Sequence, residues 1–423
     1  MNIFIPEFLP HGTVDAVPSK SDLHRALICA SLCDTPTFIH AGQLCEDTGA
    51  TVRCLRALGG RVECGEKGLT VCGKLTGGGS LDCGESGSTL RFLLPIAAVL
   101  GKRTEFTGSG KLPLRPMRVL LEALREKGLK ADSDFLPISI ESRAEAGEYR
   151  IPGNISSQFV SGLMMALPVS GKESVIMLTT KPESELYIEM TRYTLGKFGI
   201  HWEKFTDKES KATGYRYTGG DYVSPGEYIT EGDWSGAAFF AVMGALKGSV
   251  TVNGLNNAGI QPDRNIINII KSCGARVTLN GNGFSVCHDK LGPFRADVSG
   301  FPDLFPVLAV LACGAEGDSL LYNAARLRIK ESDRIETTAE LIRSLGGSVS
   351  VGNDWLEIHG KGYLDGGIAD GAGDHRIVMS AAVASVISKK GVLIKGSEAV
   401  GKSYGDFFEA IRNCGAVPSG KDE

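Results

Sequence analysis

Four segments in the first half of the chain gather cations and hydroxyls where helices should begin. PSKSDLHRA carries Lys20, Ser21 and Arg25, with Arg25 one helical turn after Ser21 and so on the same face. ESGSTLR brings Gly87 and Arg91 together, SGKLPLRPM sets Lys111 and Arg115 among glycine and prolines, and ISSQF offers Ser156, Ser157 and Gln158. A helix start exposes unpaired backbone N–H groups and the positive end of the dipole, so a serine or acidic cap satisfies it and a cation does not. Cations there make sense when an anion is to be bound. PSKSDLHRA and ESGSTLR each also read alone as a serine cap beside a solvated arginine, SGKLPLRPM is a rigid basic loop, and in ISSQF a simple N-cap explains one of the two serines.

The second half adds carboxylates to the cations. RIKESDRIE holds Lys330, Glu331 and Arg334, GDHR holds His375 and Arg376, and GKSYGDFF holds Lys402. Asp303, between Phe301 and Phe305, is an acid in an apolar run. Burying it is costly without a purpose, so it is either an N-cap or a proton-transferring group tuned by its surroundings. The alternating charges of KESDR also fit simple ion pairing along a helix start. Together the two halves have the makings of a site that binds multiply charged anions and moves protons.

The elements that must position these residues recur. CLRALGGRVE, ALREKGLKAD, TLGKFGIHWE, IIKSCGARVT, LIRSLGGSVS and AIRNCGAVPS each end a helix on a glycine, at Gly59, Gly128, Gly199, Gly274, Gly346 and Gly415. The spacing is about seventy residues throughout, which marks a structural repeat. Each glycine is expected in the left-handed conformation that turns a helix into a strand. Between the stops lie six Ala- and Leu-rich helices, apolar over most of their circumference and therefore expected to be buried, whereas the helices ending at the glycines carry a charged face. Short β-like runs follow both, so each repeat reads as strand, helix, strand, helix and two strands. The sixth repeat stops after Gly415 and lacks its last strands, and the orphan strand Asn2 to Ile5 is expected to complete it. Six repeats make two domains of three, 15–227 and 1–14 with 228–423. The hinge falls in TGGDYVSPGEY, with a second crossing near Thr13 to Ala16. Two crossings allow opening and closing on a cleft.

Bulk properties narrow the class. The chain is 42% hydrophobic and 22% charged with a formal net charge of -4, which gives no sign of a nucleic-acid or membrane partner. No apolar run reaches the roughly 20 residues of a membrane span, and MNIFIPEF lacks the basic and apolar regions of a signal peptide, so a cytoplasmic protein is expected. The eleven cysteines show no C-x-x-C pair and no His at metal-ligand spacing, which fits reduced core residues and no metal site.

In this order, PSKSDLHRA, GESGSTLR, LPLRPM, SSQF, the Ser184 to Tyr187 stretch, EGDWS, the Asp303 loop, RIKESDR, GDHR and GKSYGDFF resemble the enolpyruvyl transferase family over essentially the whole chain. The resemblance implies an α/β fold of two inside-out α/β barrel domains, each of three βαβαββ repeats, with the active site in the interdomain cleft. It implies transfer of the enolpyruvyl group of phosphoenolpyruvate to the 5-hydroxyl of shikimate-3-phosphate, on the route to chorismate and aromatic amino acids. No cofactor or metal is implied, and a monomer is expected. Shikimate-3-phosphate would be held by Lys20, Ser21, Arg25, Ser156, Ser157, Gln158, Ser184, Asp303 and Lys330. Phosphoenolpyruvate would be held by Lys20, Gly87, Arg115, Gln158, Arg334, Arg376 and Lys402. Asp303 would act as base, Glu331 as acid, and Lys20 would stabilise charge or assist the proton transfers.

Two positions depart from the pattern: Glu85-Ser86-Gly87-Ser88 replaces a common Asn-Ala-Gly-Thr loop, and Arg326 stands where an Asn is expected. The related enzyme acting on UDP-N-acetylglucosamine usually carries a reactive Cys in the loop matched by TGSGKLPLR, which has none. A non-catalytic polyanion scaffold would not need Asp303 and Glu331. A nucleotide-activating enzyme would want G-x-x-x-x-G-K-[ST], which is absent.

Overall fold

Helices of two characters alternate along the computed structural model, which describes residues 1–420; residues 421–423, the end of the expected C-terminal domain, lie outside the described residues. The first three repeats contain α1 (Lys20–Ser31) and α2 (Glu46–Ala57), α3 (Gly87–Leu100) and α4 (Arg118–Arg125), and α5 (Ser157–Ala166) and α6 (Glu185–Lys197). The last three contain α7 (Trp234–Leu246) and α8 (Ile266–Ser272), α9 (Phe305–Gly314) and α10 (Arg334–Ser344), and α11 (His375–Ala384) and α12 (Phe407–Arg412). The odd-numbered helices are the Ala- and Leu-rich ones, and nearly every residue of each is buried.

Each even-numbered helix ends on the glycine that the sequence singles out, with φ of 97° at Gly59 and Gly128, 83° at Gly199, 113° at Gly274, 82° at Gly346 and 92° at Gly415. The same two bonds close every one. In the first, Gly59 N–H donates to the Arg56 carbonyl and Gly60 N–H to the Leu55 carbonyl, the pattern of a Schellman ending.

Among the described residues, six four-stranded sheets accompany these helices. Each joins a parallel pair to an antiparallel pair, and in five of the six that antiparallel pair is a hairpin. In the third repeat Glu148–Ile151 runs parallel to Val175–Leu178, which pairs antiparallel with Thr213–Gly219, itself in a hairpin with His201–Thr206. A parallel pair needs a crossover, and in four of the sheets a single buried helix, α3, α5, α9 or α11, supplies it. Three sheets recruit strands from far along the chain. Glu227–Ile229 pairs with Thr37–His40, Thr13–Asp15 with Ser249–Asn253, and Asn2–Ile5 with Val392–Lys395. Ser419–Gly420 also pairs with Asn2–Ile5, which corrects the expectation that no strand follows Gly415. Two residues carry no periodicity for a sequence pattern to register.

The chain forms two compact units, Pro18–Thr230 and Met1–Val17 with the residues from Glu231 onward. The sequence pattern puts the crossings after 14 and 227, whereas the units divide after Val17 and Thr230. Strand pairing carries Thr13–Asp15 wholly into one unit and Glu227–Ile229 wholly into the other. Each unit has its own hydrophobic core, built around α1, α3 and α5 in the first case and α7, α9 and α11 in the second.

Candidate active site

In the Pro18–Thr230 unit, the openings of α3 and α5 are tied together by polar side chains, and a serine caps each of α1, α3 and α5. Ser19, Ser86 and Ser156 cap these helices, accepting from the N–H groups of Asp22, Thr89 and Gln158. Ser156 is thus the cap that the sequence allowed for one of the two serines of ISSQF. Gly87, beside its cap, sits under two guanidiniums: a Cβ there would lie 2.9 Å from Arg115 Nη1 and 3.1 Å from Arg91 Nη1. Arg91 Nη1 donates to Gln158 Oε1 at 2.7 Å, and Gln158 Nε2 donates to Ser88 Oγ at 2.8 Å. Gly162 allows this arrangement, because any side chain there would strike the Arg91 carbonyl and hold α5 off α3. Arg115 is buried, while Lys111 of the same loop is exposed.

Arg25 is held in a second group. Its Nε donates to Thr191 Oγ1 at 2.8 Å, Nη1 to the Ser21 carbonyl at 2.6 Å and Nη2 to the Tyr187 carbonyl at 3.0 Å. Burial pushes its guanidinium down to about 10, with Asp22 opposing, so it stays charged at neutral pH. Ser184, which opens α6, is buried and adopts φ 52°, a strained conformation for a residue other than glycine. Lys20 Nζ meets Asp47 Oδ2 at 2.8 Å. His24 lies behind, with Nδ1 2.7 Å from Thr51 Oγ1; burial, then Lys20 and Arg25, hold its imidazole well below the usual range and hence neutral.

In the other unit, Arg334 is the hub. At 1% side-chain exposure its Nε donates to Asp374 Oδ2 at 2.8 Å, Nη1 to Asp303 Oδ1 at 2.7 Å and Nη2 to Glu331 Oε2 at 2.7 Å. Arg376 Nη2 donates to the second Asp303 oxygen at 2.9 Å, and Lys402 Nζ to the Gly373 carbonyl at 2.7 Å. Asp303 lies in the turn Pro302–Leu304 ahead of α9 and makes no side-chain cap there, so of the two roles open in the sequence the N-cap is not taken. Burial pushes its carboxyl up, but Arg376, Lys330 and Arg334 outweigh burial and hold it well below the carboxylate range. Burial pushes Lys330 down to about 8, against Asp303 and Glu331.

This arrangement can hold anions and shuttle protons, and the comparisons with known proteins agree on the family. The model of the EPSP synthase (3-phosphoshikimate 1-carboxyvinyltransferase) family matches residues 10–411. The chain belongs to the EPSP synthase family. Among its relatives, the 3-phosphoshikimate 1-carboxyvinyltransferase of Clostridium kluyveri is 40% identical over 409 residues, 96% of this chain and 95% of that one. The protein of the same name from Methanocorpusculum labreanum is 36% identical, with 98% and 99% covered. A solved EPSP synthase structure from Acinetobacter baumannii superposes with TM-score 0.79 at 25% identity, covering 99% of both chains. The enolpyruvyl transferase NikO from Streptomyces tendae, with TM-score 0.78 at 15% identity over 99% and 98% of the chains, shares the fold. The two-barrel α/β architecture of this family is therefore the fold of this chain.

Against that family, the structure brings Gly87, Arg115 and Gln158 into one group, Ser21, Arg25 and the start of α6 into another, and Asp303, Glu331, Arg334 and Arg376 into a third. Arg91 stands at a helix opening suited to an anion but in neither ligand set that the resemblance implies, and Asp47, Asp263 and Asp374 stand in none. Asp374 is buried, caps α11 through Arg376 N–H at 3.0 Å and accepts from Ser332 Oγ at 2.9 Å besides neutralising Arg334. A signal existed in GDHR, where an acid precedes the arginine, but a helix cap explains it equally well. Among the described residues, no helix is long and apolar enough to cross a membrane, and no group of three or more His, Cys, Asp or Glu side chains could hold a metal ion.

Proposed function

We propose that the chain transfers the enolpyruvyl group of phosphoenolpyruvate to the 5-hydroxyl of shikimate-3-phosphate, releasing phosphate, with the ligand sets and proton carriers named from its resemblance. The observation that carries this reading is family membership over residues 10–411 together with buried cations in both units: Arg25 and Arg115 in one, Arg334, Arg376 and Lys402 in the other. Two substrates bearing phosphate and carboxylate groups need many fixed donors once water is excluded.

The acceptor oxygen attacks C2 of the enol as Asp303 takes the hydroxyl proton, and Glu331 delivers a proton to the methylene carbon, which becomes a methyl group. The tetrahedral intermediate then returns a proton from that methyl group to Glu331, the C–O bond to phosphate breaks, and Asp303 gives its proton to the departing phosphate. Lys20 stabilises charge on that phosphate. Asp303 starts as a weak base because Arg376, Lys330 and Arg334 hold it low. Anionic oxygens of phosphoenolpyruvate compete for the same guanidiniums, so substrate arrival itself raises Asp303 basicity. Within this reading the enzyme acts as a monomer in the cytoplasm, and sedimentation as a species of one chain's mass checks the first part.

Single turnover in deuterium oxide tests the proton carriers. The parent protein incorporates deuterium into the product methylene and Glu331→Gln does not; incorporation at the parent rate in the variant removes Glu331 as the acid.

A further inference from the structure

One acid in the Asp303 unit is left unused by this reaction: the turn Pro262–Asn265 that carries it packs on α7, as do the turn Pro302–Leu304 that carries Asp303 and the helix α11 that carries Arg376. Asp263 is 1% exposed, in the short turn Pro262–Asn265 ahead of α8. It is no cap, for α8 receives no side-chain bond at its start. Its partner is on α7, where Ser235 Oγ donates to Asp263 Oδ2. The other oxygen, Oδ1, is buried with no hydrogen-bond partner among the described residues. A tie between α7 and a turn needs only a neutral side chain, and burying a carboxylate with half its acceptor capacity unused is costly. The charged groups that face it are Asp303 ahead of α9, Arg376 of α11 and Asp233, the cap of α7.

We propose that Asp263, held by Ser235, is a positioning residue whose negative charge offsets Arg376 and keeps Asp303 basic enough to accept the proton of the acceptor hydroxyl. The inference rests on the transferase reading above. Burial, then repulsion from Asp303, push the Asp263 carboxyl up to about 7, against Arg376 and the Ser235 hydrogen bond. Asp263 is therefore charged above that pH and neutral below it. Repulsion between two carboxylates is mutual, so the charge on Asp263 raises Asp303 where Arg376 lowers it. Without that charge Asp303 becomes a weaker base, and Arg376 a stronger attractor of anions.

Steady-state kinetics of the full chain across neutral pH tests this with two variants. Asp263→Asn is nearly isosteric and keeps an oxygen for Ser235 to donate to. It is expected to lower kcat about tenfold while KM for phosphoenolpyruvate falls or holds, and to abolish the loss of kcat that the parent shows as pH falls through 7. Ser235→Ala keeps the charge but removes the bond that lowers the Asp263 pKa, so the same limb moves to higher pH. A variant at Asp263 that keeps the parent's pH profile, whether active or with kcat lowered and KM raised together, marks a merely structural role and overturns the inference. Absence of turnover in the parent overturns the transferase reading and this inference with it; an active parent with an unaltered Asp263→Asn profile overturns this inference alone.

Discussion

Gly87 shows how little room the proposed anion cradle leaves. The 2.9 Å and 3.1 Å approaches of Arg115 and Arg91 to a Cβ at this position mean that a methyl group would push both guanidiniums aside. Gly87→Ala is expected to raise KM for phosphoenolpyruvate roughly tenfold, about 1.4 kcal/mol, with little loss of stability because alanine suits a first helical position. Unchanged KM would show that the cradle is not where that substrate binds. Lys330 gives a second test with a defined sign. Burial takes it from 10.5 to about 8, so its charge is full below that pH and lost as pH rises through it. Binding of shikimate-3-phosphate, measured by calorimetry, should weaken about tenfold between pH 7 and 9 in the parent and hold steady in Lys330→Arg, whose guanidinium stays charged. Equal pH dependence in the two would detach Lys330 from that ligand.

The helices are where local and distant requirements meet. Asp374 caps α11 and also neutralises Arg334 of α10, so Asp374→Asn keeps a capping oxygen but strands a buried guanidinium among fewer charges. Breaking such a pair costs about 3 kcal/mol, to be read from urea unfolding at neutral pH. Burial pushes Asp374 up but Arg334 outweighs it, so its carboxyl is held low. Its contribution is therefore present above the unfolded carboxylate value of about 3.9 and is lost as pH falls below it. The gap between parent and variant should shrink in acid; a gap independent of pH would point to lost packing instead. The same helix explains what the sequence could and could not disclose. The six glycine stops were legible because a Schellman ending is made within one turn and needs a residue tolerant of positive φ. The contacts of Asp374 with Arg334 and of Ser235 with Asp263 cross 40 and 28 residues of chain, and each aspartate looks locally like an ordinary cap or turn residue. Asp303 could be placed among two roles from its apolar neighbours, but its two arginine partners, in α10 and α11, had no local trace.

Taken whole, the chain carries a net charge of -4 yet among the described residues buries five cations, Arg25, Arg115, Arg334, Arg376 and Lys402. Attraction of anionic substrates should then come from those local fields and not from overall charge, and it should be screened as the Debye length falls to about 10 Å near 0.1 M salt. We expect kcat/KM for both substrates to fall several-fold between low and physiological ionic strength, with stopped assays at fixed pH as the check; a flat response would separate the cations from substrate capture. The most direct test of the central claim is phosphate release from phosphoenolpyruvate by purified protein, with shikimate-3-phosphate and UDP-N-acetylglucosamine compared as acceptors and Glu331→Ala as control. The account predicts release with shikimate-3-phosphate alone and its loss in the variant. Release with the UDP-sugar in its place, or with neither acceptor, would contradict it.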